Sequence, residues 1–218
     1  MSKIRKTSAY ELFLFLEHIK NYEPGIYYKI KKRLMYRFRS NEELKIAADL
    51  WYSNKCSAYI RYGNISLWDT SRITSMYKLF YDKTEFNDNI NDWDVSNVEN
   101  MSFLFANCIR FNRPLNRWNV SKVVNMTAIF KCCHEFNRPL SDWNVSNVES
   151  MNYMFSECYY FNQDITNWDV KNVLSNKLMF KECDRLEFNF DRWKEKNKNI
   201  KYLHNDYWNR KFKYYGDC

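Results

Sequence analysis

The sequence predicts an α/β repeat protein. Each 25-residue unit would supply a short parallel strand and a short helix, and the units would stack into a solenoid between a helical N-terminal cap and an aromatic C-terminal cap. Three observations predict it. Tryptophan recurs every 25 residues, at Trp68, Trp93, Trp118, Trp143, Trp168 and Trp193. The first five open one phrase, as in Trp93-Asp-Val-Ser-Asn-Val and Trp143-Asn-Val-Ser-Asn-Val. Other positions keep step: Phe86-Asn87, Phe111-Asn112, Phe136-Asn137 and Phe161-Asn162, with an aliphatic residue (Ile65, Ile90, Leu115, Leu140, Ile165) three before each Trp. A unit of this length cannot bury its apolar face alone, so neighbours must cover one another.

Three segments follow: a basic helical region and cap over 1–66, five repeats over 67–193, and a cap and tail over 194–218. In the first, Ser8-Ala-Tyr-Glu11 fits a capping box ahead of a helix over about 9–21. Pro24-Gly25 ends it. Residues 26–39 fit a helix through Tyr27, Ile30, Leu34 and Phe38, and also a strand through Leu34, Tyr36 and Phe38; the helix is favoured. Ser40-Asn-Glu-Glu43 is a second capping box, and Leu44, Ala47, Ala48 and Trp51 continue it as one helical face to about Ser53. This helix covers the first unit's apolar end.

Within a unit, Ile90, Trp93, Val95 and Val98 follow the apolar order of a leucine-rich-repeat strand, with Trp93 and Val95 alternating. Asn100 then reads as an N-cap, as do Ser75, Asn125, Ser150 and Ser175 in the other units. Met101, Leu104, Phe105 and Cys108 have helical spacing, about two turns with one apolar face. The Phe-Asn pair turns the chain back, with Phe inward and the Asn side chain bonding backbone groups up the stack. The result is a right-handed, leucine-rich-repeat-like coil. After Trp193 the register stops, and Tyr202, Leu203, Tyr207, Trp208 and Phe212 suit a terminal cap.

Charge is unevenly placed on a chain of net +8. Residues 1–66 carry 13 Lys and Arg against 6 Asp and Glu, residues 67–193 carry 14 against 17, and residues 194–218 carry 7 against 3. A mildly acidic array disfavours a nucleic-acid groove along the repeats. No apolar run is long enough for a membrane span or a secretory signal, so an intracellular protein is expected. Cys108, Cys133, Cys158 and Cys183 share one repeat position, held by Lys83 in the first unit. They read as stacked core thiols, with no disulfide framework and no metal site, and Cys132 reads as outward-facing.

The phrase Phe161-Asn-Gln-Asp-Ile-Thr-Asn-Trp-Asp-Val-Lys-Asn-Val173 resembles the repeat of the bacterial surface protein 26-residue repeat family. This is the Mycoplasma and Listeria lipoprotein-type domain of unknown function, also described as a BspA-like leucine-rich repeat. The lead-in from Glu43 through Trp51 to Tyr62-Gly-Asn-Ile-Ser-Leu-Trp-Asp69 is similar too, so the resemblance covers about residues 40–193. It implies a leucine-rich-repeat-like solenoid, found in bacterial surface proteins, protists and large DNA viruses of amoebae, with no general activity established for the family. The Asn, Lys, Tyr and Ile richness suits an AT-rich genome, and with it a mimivirus-like member whose site of action is the host cytoplasm or the virion.

Two candidate sites follow. Outward residues of the strand arc form a strip: Asp92, Asp94, Arg117, Asn119, Asp142, Asn144, Asn167 and Asp169. It would grip a partner's backbone or basic groups, or else serve only the turns. Lys29, Lys31, Lys32, Arg33, Arg37 and Arg39 form a basic patch able to meet nucleic acid, an anionic surface or an acidic partner, or simply solvent. Arg110, Arg113, Arg117 and Arg138 break the register and are further candidates. Cys133 and His134 are chain neighbours, so their side chains do not converge as a nucleophile and base must. With no phosphate loop or hydrolase motif, the expectation is a non-enzymatic scaffold without cofactor, a monomer or weak oligomer that binds a protein partner, with a structural virion role as an alternative.

Overall fold

The computed structural model describes residues 18, 19, 22–26, 29 and 35–186. Most of the helix expected over 9–21, and the whole of segment 194–218, lie outside the described residues. Helix α1 spans Asn41–Ser53. Ser40 is extended and its Oγ accepts the Glu43 N–H at 3.1 Å, while the Glu43 carboxylate accepts the Arg39 N–H at 2.7 Å and the Tyr36 hydroxyl at 2.6 Å. Leu44, Ala47, Ala48 and Trp51 are the buried face, as the capping box and periodicity require. Asn54 ends α1 and caps helix α2, Lys55–Tyr62, through the Ser57 N–H. Helix α2 has no clear signature in the sequence, because its buried face is only Ala58 and Tyr62, too little periodicity to stand out. It stops at Gly63, whose φ of 73° is cheap only for glycine. A single 3-10 turn, Ile65–Leu67, then delivers Trp68.

The helix favoured over 26–39 does not extend through 35–39. Phe38 N–H donates to the Asp69 carbonyl and Asp69 N–H to the Tyr36 carbonyl, making a parallel bridge. Phe38 is buried between exposed Arg37 and Arg39, a two-residue period. The backbone groups a helix needs are taken by the first unit.

The units stack through their backbones. In the second, the amides of Met101, Phe103, Phe105 and Asn107 donate to the carbonyls of Asn125, Thr127, Ile129 and Lys131, 2.8–2.9 Å. The intervening amides of Leu104, Ala106 and Cys108 close turns on Met101, Phe103 and Phe105. The first, third and fourth units repeat this arrangement. Parallel bridges run Ser75, Asn100, Asn125, Ser150, Ser175 along the stack.

The helix expected at Met101–Cys108 and its counterparts is therefore absent, and no strand forms at Trp93–Val95. Linked four-residue turns take the helix's place. Ten non-glycine residues at two repeat positions have positive φ: Lys78, Phe103, Ala128, Tyr153 and Leu178, then Asp82, Asn107, Cys132, Glu157 and Glu182. Each is third in a turn, the position where a type II turn needs positive φ. Turns 101–104 and 105–108 point both their ends inward, so the apolar residues fall at i, i+3, i+4 and i+7, as on a helix. Asn100 and Asn125 accept the N–H two residues on, as an N-cap does, but they start a turn. A helix would aim its N–H groups along its own axis, so alternate amides could not reach sideways to the carbonyls of the next unit as they do here.

Side chains complete the stack as ladders. Phe80, Phe105, Phe130, Phe155 and Phe180 lie ring on ring at 5.7–5.8 Å, beside Phe86, Phe111, Phe136 and Phe161. Burying one such ring is worth about 1.5–3 kcal/mol. Each indole N–H from Trp93 to Trp168 donates to the carbonyl of the aliphatic residue one unit back, as Trp93 does to Ile65 at 2.8 Å. Asn87, Asn112 and Asn137 each accept the backbone amide of the next Asn in the row.

Candidate functional site

The strip residues face outward, and the turns use them first. Asp94 Oδ1 accepts the Ser96 N–H at 3.0 Å and the Ser96 hydroxyl at 2.6 Å. Asn119 and Asn144 accept the Ser121 and Ser146 amides, and Asp169 accepts that of Lys171 and pairs with its ammonium. Asp92 and Arg117 pair at 2.6 Å, Asp142 accepts from the Ser141 hydroxyl, and Asn167 is exposed. The Trp-Asp/Asn-x-Ser phrase is thus an Asx turn repeated along the stack.

Asp92 and Arg117 also line an open groove of about 630 Å³ where the 3-10 turn meets the first two units. Asn64, Asp88, Asn89, Asn91 and Asn116 share its wall. Asp88 already accepts the Trp51 indole N–H and the Lys55 ammonium. The lining offers amides and paired carboxylates, and no histidine or cysteine.

Half of the basic patch, Lys29, Arg37 and Arg39, lies among the described residues. Lys29 is exposed, and Lys31, Lys32 and Arg33 lie outside the described residues. Arg37 is bound to Asp69 at 2.6 Å, and Arg39 is exposed. Burial alone would raise the Asp69 pKa, but hydrogen bonds from Ser71 and Arg37 outweigh it and hold it below the usual value. The register-breaking arginines are likewise engaged: Arg110 with Glu85 at 3.0 Å, Arg113 with the Asn87 carbonyl, Arg138 with the Asn112 carbonyl.

Cys108, Cys133, Cys158 and Cys183 are buried, each thiol donating to a carbonyl 28 residues back, and burial raises all four pKa values. Cys132 is half-buried, its thiol 3.5 Å from the Glu157 carboxylate; burial, then that charge, pushes its pKa to about 11. His134 stacks on Tyr159 at 4.4 Å, away from the inward Cys133 thiol. Lys83, in the cysteine row, reaches Asp49 of α1 at 2.6 Å.

Sequence reasoning missed a face built by the turn-rich arc of each unit. Lys78 Nζ sits over three rings, Tyr77, Tyr81 and Phe103, at 5.3, 5.0 and 5.7 Å. Farther along, Lys131 lies over Tyr153 and Arg185 over Tyr160. The exposed row here reads Glu85, Arg110, Glu135, Tyr160, Arg185, with no two successive units alike, while the core rows barely change. Comparing exposed rows across units, rather than looking for repeated polar residues, would have found it.

No helix among the described residues is long and apolar enough to cross a membrane. No curated protein and no solved structure matches the chain. One family model matches it twice, over residues 50–146 and again over 115–211, which together span more than half of the sequence. The chain therefore belongs to the family described as Mycoplasma protein of unknown function, DUF285.

Proposed function

We propose that the stacked units form a right-handed, leucine-rich-repeat-like solenoid that acts as a non-enzymatic scaffold for protein–protein interaction. One observation carries this reading: buried rows repeat from unit to unit while the exposed row from Glu85 to Arg185 changes at every step. A surface that only closes turns keeps its residues, as the Asx row does; a surface fitted to one partner varies along its length. The turn-rich arc is favoured over the Asp/Asn strip because it also exposes aromatic rings, Tyr77 and Tyr160, of the kind that anchor interfaces. The arrangement of aliphatic, Trp and Val residues supports the BspA-like kind, and the Asn, Lys, Tyr and Ile richness supports a large DNA virus as source. Binding to nucleic acid or an anionic surface is less well supported, because Arg37 of the basic patch is already paired.

A photo-crosslinking residue placed at Arg110 or Tyr160 is expected to capture one defined protein in the native cell, and at Asn119 to capture none. Reproducible capture from Asn119 alone, or from no position, overturns the reading.

A further inference from the structure

We propose that Tyr77, Tyr81 and Phe103 form a receptor for an arginine side chain of a partner protein, kept closed in the isolated chain by Lys78. The proposal deepens the scaffold reading, since the three rings lie on the same arc. The rings enclose one position from different directions: Phe103 is perpendicular to Tyr77 and at 69° to Tyr81, with centroids 6.3 and 6.4 Å apart. The ammonium of Lys78 occupies that position. Among the described residues no carboxylate forms an ion pair with Lys78, so the rings are what hold it. Tyr77 is half exposed, which gives an incoming group access from solvent.

The resident shows what the rings accept, and it is a poor competitor for them. A lysine ammonium is compact and strongly hydrated, so an exposed aromatic site holds it weakly. A guanidinium is planar and weakly hydrated and stacks on ring faces, so an arginine displaces lysine from the same rings. The Lys78 side chain can swing into solvent, and its φ of 54° is unaffected by the exchange. Local charge favours the approach on this chain of net +8, because residues 67–193 carry more Asp and Glu than Lys and Arg, with Asp82 exposed beside Tyr81.

The test opens the cage. Lys78→Gly removes the plug and suits the positive φ; Lys78→Asn, which also tolerates it, replaces the glycine variant should that lose its thermal transition. N-acetyl-arginine methylamide, and its neutral near-isostere N-acetyl-citrulline methylamide, are titrated while the backbone amide resonances of residues 77–81 and 103 are followed by NMR. The arginine probe is expected to bind the opened variant about fivefold more tightly than the native chain, with citrulline much weaker and Tyr77→Ala in the opened background abolishing the gain. Equal binding to native and opened chains, or citrulline binding as well as arginine, overturns the proposal. Either result leaves the crosslinking outcome at Arg110 and Tyr160 untouched, so the two readings fail separately.

Discussion

Ten described residues other than glycine hold a left-handed backbone, and they are Lys, Phe, Ala, Tyr, Leu, Asp, Asn, Cys and Glu. An L-residue with positive φ costs about 1–2 kcal/mol, offset here because each turn aims alternate amides at the next unit. At Glu157, with φ of 63°, Gly is expected to be more stable than Ala by about 1 kcal/mol in thermal or urea unfolding. Were this segment a helix, the order would reverse by a similar amount. Thiol reactivity follows position too. Exposed Cys56 is expected to react rapidly with a disulfide reagent at pH 8, and half-buried Cys132 slowly. The four ladder cysteines react only after denaturation, and rapid labelling of any of them in the native chain would contradict the packing.

Among elements, α1 and the extended segment 36–38 are fastened to the first unit by ionic contacts as well as by packing. Lys83 and Lys45 outweigh burial at Asp49 and lower its pKa; Tyr36, then the Arg39 amide, lower that of Glu43. Asp69 is lowered in the same way. A carboxylate with a depressed native pKa contributes stability in full above its unfolded value, 3.8 for Asp and 4.5 for Glu, and loses it as pH falls through the native value. The capped end is therefore expected to loosen below about pH 4, while the uncharged ladders persist. Near-UV circular dichroism of the Trp51–Trp68 contact reads this, and loss of that signal on raising the pH from 5 to 7 would contradict it. Asp49→Ala leaves a buried Lys83 without its carboxylate and should cost on the order of 1–3 kcal/mol. Lys83→Cys, which extends the thiol row, should cost less.

At the scale of the whole molecule, each unit touches mainly its neighbours, and the ladders run in a 25-residue register. Deleting 25 residues, 119–143, joins Trp118 to Asn144 and restores every row one step along. That variant is expected to fold cooperatively with a lower melting temperature. Deleting 119–142 instead moves every later row by one position and places exposed residues in the core; it should not give a cooperative transition. Equal stability of the two would mean that the register does not hold the array together.

The period, the core and most ladders were legible in the sequence because burial imposes the same residue type at the same place in every unit. Trp93, Phe105, Phe111 and Cys108 fall in the core rows their spacing indicated, and Asn112 bonds the neighbouring backbone as its position suggested. Helix α1 was legible from its capping box, but backbone conformation within the units was not. Linked turns and a helix both bring residues i, i+3, i+4 and i+7 inward, and both use Asn or Ser to satisfy the amide two residues on. What separates them is the destination of alternate N–H groups, and these go to carbonyls roughly one unit away in sequence. The pairing of Phe38 with Asp69 and the convergence of three rings on Lys78 depend likewise on contacts between segments. A repeat in the chain reveals which side chains must be hidden. Only the stacked structure decides which backbone groups meet and which exposed residues from different units become neighbours, because that follows from the path of each coil through space.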